Sequence, residues 1–102
     1  MESLARPLHD DLARAEEISE ILKAVAHPLR LRLVAALAEQ ARRVGELSEV
    51  VSAPQAIVSQ QLRILRMAGL VRLVREAGVP RYQLAELRLH DLLACVQGCR
   101  RH

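Results

Sequence analysis

The sequence predicts a mainly α-helical domain carrying one small β-hairpin, and three observations predict it. Apolar residues recur at helical spacing through most of the chain. The stretch 70–84 alternates instead. Proline and glycine stand where the pattern changes. Apolar residues make up 51% of the 102-residue chain but aromatic ones only 1%, the single Tyr82, so the core has to be aliphatic. Abundant Ala and Leu with few aromatics favour helix.

Each element has its own signal. Residues 1–7 read as a loose arm ending at Pro7. Over 8–25, Leu8, Leu12, Ala15, Ile18, Ile21, Leu22 and Val25 form one helical stripe, with the acids mostly off it. Pro28 suits a first helical turn and opens a second helix over 28–40, apolar at Leu29, Leu31, Leu33, Val34 and Leu37. Ala41-Arg42-Arg43 is a loop. Over 44–51, Val44, Leu47, Val50 and Val51 share one face of a short helix. Ser52-Ala53-Pro54 breaks that pattern, and a fourth helix runs over 55–68. Its apolar residues are Ile57, Val58, Leu62, Leu65 and Met67-Ala68; Gln55, Ser59, Gln60, Arg63 and Arg66 lie on other faces. Gly69 stops it. Leu70 to Arg75 alternates apolar and basic residues, Ala77-Gly78-Val79-Pro80 is turn chemistry, and Arg81 to Leu84 alternates again. That is a hairpin over 70–84 with a basic tip. A last helix spans 86–99, with Leu89, Leu92, Leu93 and Val96 apolar.

Two helices joined by a three- or four-residue turn, the second polar and basic outside, fit a helix-turn-helix; the hairpin makes it winged. The geometry points to duplex DNA. Gln55, Ser59 and Gln60, on the N-terminal half of the reading helix, suit base edges. Arg63 and Arg66 suit phosphate or help orient the helix, and Arg75 and Arg81 reach from the wing. Charge agrees: residues 1–26 carry six acids against three bases, whereas 54–102 carry eight bases against three acids, within a net +3. Scarce aromatics argue against RNA or single strands, which stack on aromatic rings. No apolar run is long enough to span a bilayer and no export signal is evident, so a cytoplasmic protein with reduced thiols is expected. No catalytic constellation or phosphate loop marks an enzyme. The competing class is a winged-helix module that binds protein rather than DNA; losing the basic residues would signal it, and they are present.

The chain resembles the ArsR/SmtB family of winged-helix repressors, small dimeric bacterial and archaeal sensors of metals, metalloids and reactive sulfur. The resemblance covers roughly 18–100 and rests on Leu22-Lys23-Ala24-Val25-Ala26-His27-Pro28-Leu29-Arg30-Leu31-Arg32, on Val58-Ser59-Gln60-Gln61-Leu62-Arg63-Ile64-Leu65-Arg66, and on Ala68-Gly69-Leu70-Val71. It implies one winged-helix domain over 1–102, a homodimer with the first and last helices across its axis, and repression of a double-stranded operator. Two departures stand out. Ser52 and Pro54 occupy a turn where members often carry Gly and Ser. Gly45-Glu46-Leu47-Ser48 stands where founding metal sensors have a Cys-x-Cys box, so sensing is not expected there.

Cys95 and Cys99 are four apart on the last helix, a spacing that brings Cβ atoms to roughly 5–6 Å, and His102 follows on the same face if the helix continues. Three readings stay open: packed small apolar groups, a soft-ion site for arsenite, zinc or cadmium, or redox and sulfur-reactive thiols. An intrahelical disulfide is awkward at that spacing. His27 reads as a helix cap or a packed residue, and His9 beside Asp10 and Asp11 as part of a solvated acidic face. His90-Asp91 resembles half of a family metal site, without an evident second pair.

Overall fold

The computed structural model describes residues 6–98. A 3-10 turn at Leu8–Asp10 precedes α1 (Leu12–Val25), α2 (Pro28–Glu39), α3 (Val44–Val51) and α4 (Gln55–Met67). The hairpin strands β1 (Val71–Glu76) and β2 (Val79–Leu84) follow, then α5 (Arg88–Gly98). α2 is the central post: it touches α1, α3, α4, α5 and β2. Its start is set by Pro28 at the first turn and by His27, whose Nδ1 accepts from the Leu29 N–H at 3.2 Å, so His27 is a cap. Its Leu33, Val34, Ala36 and Leu37 are buried, together with Leu47 and Val51 of α3, Val58, Leu62 and Leu65 of α4, Leu70, Val71 and Leu84 of the hairpin, and Leu89 and Leu93 of α5. Among the described residues no polar or charged side chain is buried.

The structure corrects several expected boundaries. The first stripe is not one helix over 8–25. Asp11, at φ −128° and ψ 86°, interrupts it and accepts from the Arg14 N–H at 3.0 Å, which starts α1 at Leu12. The last helix begins at Arg88, not 86, because the Ala85 and Glu86 N–H groups donate to the Leu70 carbonyl and the Glu86 carboxylate accepts from the Arg88 N–H. Residues 1–5 of the expected arm, and residue 99 of the expected last helix, lie outside the described residues. Ile57 and Met67 are not core: α4 buries a narrower stripe, and Met67 is 80% exposed. Part of the α1 stripe is likewise uncovered within the chain, Leu12 being 74% exposed and Leu22 45%, with only Val25 fully buried.

α4 ends in a hydrogen-bonded glycine stop. Gly69 takes φ 78°, its N–H donates to the Arg66 carbonyl at 2.9 Å, and the Leu70 N–H donates to the Leu65 carbonyl at 2.9 Å. Leu70 is thereby turned inward and the chain enters the wing. The strands pair antiparallel from Val71↔Leu84 to Glu76↔Val79. The turn is the two residues Ala77-Gly78, at φ 51° and 81°; Val79 and Pro80, expected in the turn, belong to β2. Arg42, expected in a loop, adds an isolated antiparallel bridge to β2, exchanging N–H···O bonds with Tyr82 at 3.0 and 2.8 Å.

Ala77 sits in the left-handed region, which disfavours a Cβ-bearing residue by about 1–2 kcal/mol. Asn tolerates that region, and Asn-Gly is the favoured pair where both turn residues have positive φ. Ala77→Asn should stabilise the fold by about 0.5–1 kcal/mol and raise Tm by roughly 2–8 °C in thermal denaturation.

Candidate nucleic-acid interface

The α3–α4 corner is built from local hydrogen bonds. Ser52 takes φ 53°, the conformation usually left to Gly, and closes α3 in the same way that Gly69 closes α4. Its N–H donates to the Glu49 carbonyl at 3.3 Å, and the Ala53 N–H donates to the Ser48 carbonyl at 3.1 Å. The Ser48 hydroxyl donates to the Ala53 carbonyl, and Arg32 Nη1 donates to the Val51 carbonyl at 3.1 Å. Pro54 precedes α4, and its carbonyl accepts the first helical N–H bonds from Ile57 and Val58, both at 3.0 Å. The turn geometry therefore survives the exchange of Gly and Ser for Ser52 and Pro54.

With Val58, Leu62 and Leu65 buried, the opposite side of α4 is exposed at Gln55, Ser59, Gln60, Arg63 and Arg66. The helix contains no acidic residue, and Arg63 and Arg66 form no ion pair among the described residues. All the polar residues expected to meet DNA from this helix therefore share one solvent-facing surface. The wing is more divided. Arg75 is exposed at the tip, where Nη1 donates to the Gly78 carbonyl at 3.3 Å, and exposed Arg72 donates through Nε to Gln83 Oε1 at 2.7 Å. Arg81, also expected to reach outward, is half-buried and turned back: it lies 3.5 Å from Glu46 of α3 and 3.4 Å from Glu76.

Glu46 thus joins helix and wing. Its Oε1 accepts from the Arg43 N–H at 2.8 Å, which satisfies an orphan donor at the start of α3. That hydrogen bond, opposed by partial desolvation and aided by the Arg43, Arg81 and Arg42 charges, holds the Glu46 carboxyl below the usual range. A second network pins the start of α5. Arg88 donates from Nε to Glu86 at 2.8 Å and from Nη2 to Glu17 of α1 at 2.8 Å; the contacts lower the Glu86 pKa and raise that of Arg88.

The expected sensor residues divide across the boundary of the described chain. Cys95 lies on α5 as an exposed free thiol, so within one chain it is not a packed core residue. Cys99 and His102 lie outside the described residues. His90 and Asp91 are exposed, and His9 lies 3.9 Å from Asp10 on the surface. Among the described residues of one chain no three His, Cys, Asp or Glu side chains come together as a metal site. No helix there is long and apolar enough to cross a membrane.

A helix-turn-helix with an exposed basic face and a clamped two-stranded wing defines the winged-helix DNA-binding regulators. Comparison with known proteins agrees. The family described as "Bacterial regulatory protein, arsR family" matches residues 27–72. A biofilm growth-associated repressor of Xylella fastidiosa is 39% identical over 80 residues, covering 78% of this chain and 70% of that protein. The crystal structure of the transcriptional repressor BigR from Xylella fastidiosa superposes with a TM-score of 0.78 at 34% identity, covering 94% of this chain and 100% of that one. The homodimeric winged helix-turn-helix DNA-binding domain Mb0332 from Mycobacterium bovis gives 0.72 at 25% identity, covering 94% and 88%. The chain belongs to the arsR family of bacterial regulatory proteins. It is a transcriptional regulator of the ArsR/SmtB repressor type, not an enzyme.

A carboxyl whose folded pKa is depressed contributes stability that is present above its unfolded value and lost as pH falls through the folded one. Glu46→Gln should therefore lower Tm at neutral pH. The gap to wild type should close as pH drops below about 4.5. Thermal denaturation of both proteins across that range checks this; a gap independent of pH would contradict it.

Proposed function

We propose that the chain acts as a cytoplasmic homodimeric repressor that holds a double-stranded operator and releases it when the thiols at the end of α5 react. The observation that carries the reading is the face of α4, where Gln55, Ser59, Gln60, Arg63 and Arg66 are exposed together with no acid among them. Gln pairs bidentately with adenine and Ser accepts several base edges, so Gln55, Ser59 and Gln60 read sequence. Arg63, Arg66 and Arg75 meet phosphate; Arg81, bound to Glu46 and Glu76, does so secondarily. The whole chain, 1–102, then works as one DNA-binding domain.

Dimerisation is supported by what the chain leaves uncovered. Leu12 and Leu22 of α1, with Leu87 (70% exposed) before α5 and Val96 (60%) on it, are apolar surface that a second copy would cover. A twofold pair must set its reading helices about 34–36 Å apart to enter successive major grooves. Cys95 sits on α5, next to Val96 of that apolar surface. A reaction there, with Cys99 as its partner thiol and His102 as a further donor, would change the dimer geometry and hence that spacing. A coupling of about 1–3 kcal/mol releases DNA about 5–150-fold. Cys95 is exposed on α5, open to a sulfur-reactive or oxidising signal and to a coordinated arsenite, zinc or cadmium ion alike.

Gln60→Ala should cost about 1–3 kcal/mol at one base pair and relax preference there. Arg75→Ala should weaken all duplexes alike and reduce the salt slope by about 1. Selection from a random duplex pool, followed by salt-titrated mobility shifts, measures both; unchanged preference for Gln60→Ala would overturn the role of that residue. Cys95→Ser and Cys99→Ser should keep DNA affinity and lose release by persulfide or peroxide. A double variant that still responds like wild type would place the sensor elsewhere.

A further inference from the structure

One guanidinium lies where three helices meet. Arg30, in the first turn of α2, donates through Nε to the Ala24 carbonyl at 2.7 Å and through Nη1 to Gln61 Oε1 at 2.9 Å. Ala24 lies in the last turn of α1, where carbonyls lack helical partners and a cation is favoured by the helix dipole. Gln61 is half-buried on α4, beside exposed Gln60. Among the described residues this is the only side-chain hydrogen bond made by α4. The side chains that α4 buries are apolar, Val58, Leu62 and Leu65. Apolar contacts are not directional, so they resist removal of the helix more than rotation about its axis. A charge-assisted hydrogen bond is directional and strong.

We propose that Arg30 is a positioning residue that sets the rotation of α4 and couples it to α1, so that movement of the last turn of α1 turns the reading face. The inference rests on the DNA-reading role assigned to α4 above, and adds the route by which the dimer helix controls it. Side-chain tips lie roughly 6 Å from a helix axis, so each ~10° of rotation displaces them by about 1 Å. That displacement takes a base hydrogen bond out of range. The Arg30–Gln61 bond is thus a mechanical link between the apolar surface of α1 and the base-facing residues.

The test uses Gln61→Leu, Arg30→Met, the double variant and Gln61→Glu. Their probes are a duplex that wild type selects from a random pool and a scrambled control. Each single loss should weaken the selected duplex roughly tenfold, the size expected of one charge-assisted hydrogen bond, and hardly change the scrambled one. The double variant should be no weaker than the weaker single, and Gln61→Glu should bind like wild type. Because Arg30→Met also uncaps α1, Gln61→Leu, which leaves the Ala24 bond in place, carries the decision. A thermal-denaturation cycle on the same proteins without DNA should show the two positions coupled. Losses that multiply, selected and scrambled duplexes that weaken together, or no coupling in the DNA-free cycle would overturn the proposal. If wild type enriched no duplex, the DNA-reading role would fail instead, while the DNA-free cycle would still decide whether Arg30 and Gln61 are linked.

Discussion

Arg42 ties the wing to the helices through both its backbone and its side chain. Its N–H and carbonyl extend the hairpin by pairing with Tyr82, and its Nε donates to the Ala36 carbonyl at 3.0 Å near the end of α2. Its Nη2 meets Glu39 at 2.6 Å. An isolated two-stranded hairpin is marginal in water; the rung at Arg42 gives this one a fixed base. If the wing swung away, the Arg42 N–H and carbonyl would lose their Tyr82 partners, while the partly buried guanidinium, its side chain 14% exposed, keeps this segment fixed to α2. The direction in which Arg72 and Arg75 project from the molecule therefore follows from a contact made at the far end of the hairpin.

The core behind this contact is aliphatic throughout the described chain, and that shapes the rest. Leu and Val side chains pack α2, α3 and α4 without any buried polar group to fix their relative rotation. Directional bonds are found instead at the edges, in four arginines: Arg30 to Ala24 and Gln61, Arg32 to the end of α3, Arg42 to the end of α2, and Arg88 to Glu86 and Glu17. Each bridges separate elements or closes a helix terminus. Among the described residues, some arginines thus hold helix ends, Arg81 ties the wing to α3, and others, such as Arg63 and Arg66, remain exposed on the polar face of α4.

Much of the architecture was legible from residue types alone. The periods of apolar residues, Pro28 and Gly69 placed α2, α3 and α4 within a residue or so, because each signal acts on the local backbone. Four features were not legible, for physical reasons. Asp11 breaks the first stripe with a single side-chain cap, which an apolar stripe running across it conceals. Ala77 is an uncommon residue for a left-handed turn, so Val79 and Pro80 were expected in the turn although they pair in β2. Arg42 joins the sheet through backbone atoms that every residue carries, and Glu46 meets Arg81 across 35 positions, so neither contact leaves a local signature. The exposed polar set of α4 was legible as a helical face; the half-buried position of Arg81 required the fold.

Tyr82 is the only aromatic side chain in the chain, and there is no tryptophan. It sits in the strand residue that Arg42 grips. Ultraviolet emission from the native protein therefore comes from one ring, located at the hinge of the wing. Its intensity, anisotropy and quenching report on that joint without any label, in the free protein or on DNA, and a titration can follow the wing separately from the helices.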